Sequence, residues 1–177
     1  MTRKEYKKLK KMDLDRYGKK HLGVYLVSTD YRIVYHYRKC KYLSEKKALK
    51  LLYFLERLYY NHICVKYGCD IPSHANIGGG LRIDHANGIL INSKAKIGQN
   101  LTIKSGAVIG SNKNGVPSIG DGVLVGAHSI IIGDIIIGDN AEIGAGAIVV
   151  KDVPQNAVVV NQPATIIKYK GKTNNEL

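Results

Sequence analysis

The sequence has no tryptophan and a single phenylalanine, so its aromatic character rests almost wholly on twelve tyrosines. Its three cysteines, Cys40, Cys64 and Cys69, form no C-x-x-C pair, which argues against both a disulfide framework and a zinc ribbon. No run of eighteen apolar residues occurs, which excludes a transmembrane helix. The opening Met1-Thr-Arg-Lys-Glu-Tyr-Lys-Lys has no apolar stretch behind it of the kind a secretory signal needs. Acidic residues are scarce, 14 against 27 lysines and arginines. These absences predict a reduced, cytoplasmic protein whose 177 residues make one domain with an extension.

The positive charge is uneven. Residues 1–68 carry 18 Lys/Arg against 6 Asp/Glu, whereas residues 69–177 carry 9 against 8. Eleven of the twelve tyrosines lie at or before Tyr67, and Gly18, Gly23 and Gly68 are the only glycines before residue 70. Two regions built on different physics meet near Gly68. A basic, tyrosine-rich region spans 1–68, a glycine-rich region spans 69–168, and a tail occupies 169–177.

The second region repeats. Aliphatic residues fall six apart at Ile71, Ile77, Ile83 and Ile89, and again at Ile91, Ile97, Ile103 and Ile109. A third run, Ile119, Val125, Ile131, Ile137, Ile143 and Val149, is unbroken. Four residues after many of these stands a small or modest side chain: Ala75, Ala95, Ala107, Val123, Ser129, Ala141, Ala147. A six-residue period fits neither a helix, at about 3.6, nor a two-faced strand, at about 2. It fits a short strand and a corner, repeated, with one aliphatic residue pointing inward. That is the pattern of a parallel β-helix, in which stacking of neighbouring coils supplies the stability that no single hexad has. The chain is predicted to be mainly β, with a short α-helical N-terminal region.

The period breaks twice. Phase slips by two residues between Ile89 and Ile91, and four extra residues enter within Gly110-Ser-Asn-Lys-Asn-Gly-Val-Pro-Ser118. That polar segment reads as a loop thrust out of a coil, either a binding loop or a tolerated insertion. Upstream, Ser44 is placed to cap a helix whose apolar face runs through Ala48, Leu51, Leu52, Leu55, Leu58 and Tyr59. Its leucines are expected to cover the open edge of the β-helix. Residues 31–41 alternate aromatic and basic side chains without a clear period, and residues 2–11 are a basic run, helical or unstructured.

The segment Asp70-Ile-Pro, with Ala75-Asn-Ile-Gly-Gly-Gly-Leu-Arg-Ile-Asp-His-Ala-Asn-Gly88, resembles the start of the β-helix in serine acetyltransferases. Ile143-Gly-Ala-Gly-Ala147 and Pro163-Ala-Thr-Ile-Ile167 resemble its end. The resemblance covers residues 70–168, and the Asp-His-Ala-x-Gly segment is its most specific part. It implies a left-handed parallel β-helix of hexapeptide repeats, a homotrimer, acetyl-CoA as co-substrate bound between subunits, and no metal. It implies His85 as the base that takes the proton of an acceptor hydroxyl, a role that suits an imidazole with an ordinary pKa near ~6.5. Asp70, fifteen residues earlier, matches the carboxylate that orients that imidazole, and Asp84 matches a substrate-binding carboxylate. For the donor, the resemblance implies Ala127 and Ala145 along the pantetheine slot, with Lys151 and Lys168 near the nucleotide phosphates. Each alanine also fits a repeat corner that needs a small side chain, and each lysine a solvated surface. Three hexads make an eighteen-residue coil, which would stack Asp70 beneath position 88, three residues from His85. His74 and His128 do not have the spacing of a zinc site. Gly78-Gly-Gly80 is no dinucleotide fingerprint, since no strand–helix unit follows.

Three departures from that family stand out. The Arg-His pair that grips the amino acid is absent, with Val116 where the histidine would be. The N-terminal region is short and of different composition, and the chain ends Asn174-Asn-Glu-Leu177 rather than in isoleucine. In these respects the chain resembles the short O-acetyltransferases of bacterial surface-polysaccharide synthesis. The expectation is therefore acetyl transfer to a sugar hydroxyl, on a nucleotide sugar or a lipid-linked acceptor. The alternatives are a serine O-acetyltransferase with a rebuilt pocket and a non-catalytic trimeric scaffold. The charge of residues 1–68 fits an anionic partner, including an anionic membrane surface on the cytoplasmic side. No motif for nucleic acid accompanies it.

Overall fold

The structure is a computed structural model and describes residues 1–18 and 21–161. Lys168, the 163–167 segment and the 169–177 tail lie outside the described residues. The chain begins with four helices: α1 (Arg3–Asp15), α2 (His21–Val27), α3 (Thr29–Ser44) and α4 (Lys50–Lys66). Among the described residues thirteen short strands follow. The first seven are β1 (Asn76–Ile77), β2 (Arg82–Asp84), β3 (Leu90–Ile91), β4 (Lys96–Ile97), β5 (Thr102–Lys104), β6 (Val108–Gly110) and β7 (Ser118–Ile119). The rest are β8 (Leu124–Val125), β9 (Ile130–Ile132), β10 (Ile136–Ile137), β11 (Glu142–Ile143), β12 (Ile148–Val149) and β13 (Val158–Val159).

Consecutive strands never pair with each other. They fall in turn into three sheets, ordered β1-β4-β7-β10, β13-β11-β8-β5-β2 and β12-β9-β6-β3, and every ladder between strands is parallel. The chain therefore turns a corner after each strand and climbs as a parallel β-solenoid, as the six-residue period predicts. Ile83, Ile103, Val125 and Ile143 stack directly above one another inside it, and all are fully buried. Ala75, Ala95, Ala107, Val123, Ser129, Ala141 and Ala147 are buried as well. Each inward Ile or Val contributes about 1.5–3 kcal/mol of burial.

The two breaks in period set the rung lengths. Ile119 pairs with Ile137, the regular eighteen residues on, but Ile97 pairs with Ile119, across the four extra residues of the 110–118 loop. The other break falls elsewhere than its phase suggests. Asp84 pairs with Lys104, twenty residues on, whereas Leu90 pairs with Val108, eighteen on. Since Gly106 N–H donates to Asn87 O at 2.7 Å, the two extra residues are His85 and Ala86. Ile89 then sits one coil below Ala107, in the place of the small inward residue. Asp70 consequently bridges Leu90, twenty residues away, and not position 88.

The helices depart further from expectation. Residues 2–11 are ordered at the start of α1, where Thr2 and Glu5 form a reciprocal capping box. Residues 31–41 lie inside α3, which Ser28 caps by accepting from Tyr31 N–H at 3.1 Å. Ser44 caps nothing: it is the last residue of α3, and its hydroxyl donates to Lys41 O at 2.8 Å. The leucine cap is overturned too. Leu51, Leu55 and Leu58 are 73%, 55% and 53% exposed, while Glu56, Tyr60, Ile63 and Cys64 form the buried face of α4.

The reason is chemical. The bottom coil presents backbone carbonyls and N–H groups, for which leucine has no partner. Polar side chains cover that edge instead. Tyr37 Oη and Lys41 Nζ donate to Ala75 O at 2.7 and 2.6 Å, and Tyr60 Oη to Ile71 O at 2.6 Å. Arg38 donates to Ile77 O and Gly78 O, and Arg16 to Asn100 O at 3.0 Å. Asp13 Oδ1 accepts from Gly80 and Leu81 N–H, and Tyr17 Oη both accepts from Ile83 N–H and donates to Ile83 O. Arg16, Arg38, Lys41, Tyr17, Tyr37 and Tyr60 thus serve as an edge cap. Among the described residues no helix is long and apolar enough to cross a membrane.

Candidate active site at the His85 corner

The corner between β2 and β3 is where the regular coil is interrupted. His85 and Ala86 have no counterpart in the coil above, so the ladder offers their N–H groups no carbonyl. Asp30, at the first turn of α3, supplies the acceptors: Oδ2 from His85 N–H at 3.3 Å and Oδ1 from Ala86 N–H at 2.8 Å. His85 itself adopts φ +59°, in the left-handed region, and its side chain is exposed. It lines an open cleft of about 560 Å³ between Ser28, the cap of α3, Asp30 on α3, Tyr67 after α4, and Asn87 and Ser105 on the solenoid.

Two predicted donor-site residues stack above this corner. Gly106 N–H donates to Asn87 O, His128 N–H to Ser105 O at 2.8 Å and Gly146 N–H to Ala127 O at 2.8 Å, so successive coils bring Ser105, Ala127 and Ala145 into one column with His85 at its foot. Gly106 has φ +67°, and a Cβ there would run into the His128 ring, so only glycine fits. Ala127 is half-buried and Ala145 exposed.

The remaining predicted residues are dispersed. Asp84, a quarter exposed, accepts from Arg82 Nε at 2.7 Å, and Arg82 in turn donates to Arg16 O at 3.0 Å. Asp70 lies on the bottom rung beneath β3, beside a hollow bounded by Arg57, Tyr60 and Ser73. No hydrogen bond joins it to His85 among the described residues. Lys151 is exposed beyond β12, at the next corner around the solenoid. The 110–118 loop leaves that same next corner, where Asn92 Nδ2 donates to Ser111 Oγ at 3.1 Å. No group of three His, Cys, Asp or Glu among the described residues could hold a metal ion.

The sequence reading missed Asp30 and Tyr67. A signal for the first existed, because Ser28-Thr-Asp30 is a helix start with an acid in its first turn. Nothing in the sequence says which backbone, 55 residues on, that carboxylate meets.

Comparison with known proteins identifies the family of the fold. The family model described as bacterial transferase hexapeptide (six repeats) matches residues 117–151. Serine acetyltransferase 4 of Arabidopsis thaliana is 34% identical over 153 residues, 84% of this chain and 40% of the relative. The serine acetyltransferase of Bacillus pumilus is 30% identical over 167 residues, 92% of this chain and 75% of the relative. The chain belongs to the serine acetyltransferase family. Within it, the Neisseria gonorrhoeae serine acetyltransferase in complex with serine superposes with a TM-score of 0.74 at 32% identity, covering 92% of this chain and 69% of that one. A serine acetyltransferase in complex with CoA gives 0.73 at 27% identity, covering 93% and 71%. The chain spans under half the length of the Arabidopsis relative.

These likenesses overturn the expected sugar acceptor and the polysaccharide assignment. The expectation rested on one altered loop and on the composition of residues 1–68. The family likeness instead runs through nine-tenths of the chain, and three of the basic residues, Arg16, Arg38 and Lys41, have structural partners on the solenoid edge.

Proposed function

We propose that this chain is an acetyl-CoA-dependent serine O-acetyltransferase with His85 as general base. The observation that carries the reading is the family likeness across 92% of the chain, together with an exposed histidine at an interrupted corner of the solenoid. In the reaction, the imidazole of His85 takes the serine hydroxyl proton as Oγ attacks the thioester carbonyl. The tetrahedral intermediate collapses with cleavage of the C–S bond, and the imidazolium returns the proton to the departing thiolate. The products are O-acetylserine and CoA.

Asp84, adjacent to His85, would receive the substrate ammonium while Arg82 holds its carboxylate. Asp70 would orient the imidazole only after a closing movement, since hydrogen bonds of this kind tighten on substrate binding. The pantetheine arm would run up the column past Ala127 and Ala145, with Lys151 toward the phosphates. A homotrimer, as the resemblance implies, would set this column against a neighbouring protomer and its 110–118 loop.

The test is release of free thiol from acetyl-CoA with L-serine as acceptor. Turnover should depend on serine and fall by about 10²–10⁴ in His85→Ala. Equal rates with and without serine, or an unimpaired His85→Ala, would sink the reading.

A further inference from the structure

The interrupted corner poses a problem that the regular coil does not have. Two consecutive N–H groups, of His85 and Ala86, leave the ladder together, and His85 itself, though not a glycine, holds a positive φ. Unpaired donors and a left-handed histidine each cost free energy, so the bulge persists only if its surroundings over-determine it. One side chain meets both donors. It belongs to a different region of the chain and is set by the start of α3, whose own first turn is fixed by the Ser28 cap.

We propose that Asp30 is a positioning residue for the acetyl transfer, a carboxylate clamp that fixes the backbone of the His85–Ala86 bulge and so aims the imidazole into the cleft. This rests on the assignment of His85 as base. The chemistry is specific to a carboxylate. Two parallel N–H donors on adjacent residues match its two oxygens, one each, as Oδ2 and Oδ1 do here. Asparagine keeps one acceptor and turns its NH₂ toward the other donor, and alanine keeps neither. The clamp also makes the helical region part of the site, although Asp30 need touch neither substrate.

The experiment pairs kinetics with a signal from the ring itself. Asp30→Ala should lower kcat for serine acetylation by about tenfold or more, the scale on which a displaced catalytic group loses rate. KM for acetyl-CoA should move less than twofold, because the donor column lies on higher coils. Asp30→Asn should fall between wild type and Asp30→Ala, and Asp30→Glu should recover part of the loss. In a His85→Ala background, Asp30→Ala should leave the residual rate unchanged, since there is no imidazole left to aim. In histidine-labelled protein, Asp30→Ala should shift or broaden one imidazole resonance, identified as His85 by its absence from His85→Ala, and leave the others in place.

A rate loss that persists in the His85→Ala background, or a general loss of melting temperature and of all histidine signals, would make Asp30 merely structural. An unchanged His85 resonance and unchanged kcat would overturn the clamp outright. Full activity in His85→Ala alone would instead sink the base assignment, a failure that the resonance measurement tells apart from failure of the clamp.

Discussion

In the solenoid the groups withdrawn from water are chiefly aliphatic side chains repeated coil after coil, with Ser73, Thr102 and Ser129 the buried polar ones among the described residues. In helices α1–α4 they include Asp13, His36, Arg38 and Glu56 alongside Tyr31, Ile33, Val34 and Tyr37. Arg38 is 1% exposed and meets Asp13 through Nε at 2.7 Å and Nη2 at 3.1 Å. Glu56 joins three elements, paired with His36, which meets Tyr25 Oη at 2.9 Å, and with Lys39 at 2.6 Å. Burial pushes its carboxyl pKa upward, but hydrogen bonds from His36 and Lys39 outweigh that and hold it below the ordinary value. The solenoid is stabilised by non-directional burial repeated at a fixed period. The helical region is stabilised by directional contacts, each of which occurs once.

That contrast predicts unequal responses. Arg38→Ala should be the most damaging change, about 3–5 kcal/mol in a denaturant titration, because it strands the buried Asp13 carboxylate and uncovers Ile77 O. A loss below about 1 kcal/mol would mean that the edge cap is dispensable. Ile131→Ala, inside the solenoid, should cost about 2–4 kcal/mol through lost burial and a cavity. Equivalent inward positions such as Ile103 should give similar values, a uniformity not expected among the helical residues.

The pH dependence of stability sharpens the same contrast. Burial pushes the Cys40 and Cys64 thiols up from an ordinary 9.0 to about 12 and about 11, and Tyr37 up from 10.0 to about 12. All three are groups whose folded pKa exceeds the unfolded one, so their contribution is complete below about pH 9 and is lost as pH rises toward 12. The melting temperature should stay level through neutral pH and fall across that alkaline window. A flat profile to pH 12 would contradict the burial of these groups. At the small end, Leu55→Gln should change stability by less than about 0.5 kcal/mol, since that side chain already faces water. A large loss would show that the leucine face of α4 is covered.

Much of this could be read from the residues. The period of six named the fold, the small side chains marked the corners, and the broken phase marked coils of unusual length. Periodicity works there because each hexad does the same thing, so an inward isoleucine in one coil predicts the next. The same logic picked the wrong face of α4, because a leucine stripe says that a face is apolar without saying what it meets. The edge below the solenoid needed donors and acceptors, and Tyr37, Arg38 and Tyr60 reached it first. The acceptor was misjudged for a related reason, as one altered loop and the composition of residues 1–68 were weighed above a likeness that runs through most of the chain.

The site divides along the same line. His85 and Asp84 were picked out by the family motif that their segment resembles. That the two extra residues of the first coil are His85 and Ala86 is a fact of ladder register, settled by which carbonyl each N–H finds. That Asp30 meets them is a fact of docking, between residues 55 apart. The sequence by itself determined the repeat and the inward aliphatics, because these depend on local spacing, whereas the candidate base came from the resemblance of its segment to a family motif. The tertiary structure alone decided how the bottom coil is covered and how the bulge is held, because unpaired backbone groups are satisfied by whatever the fold brings within hydrogen-bond reach.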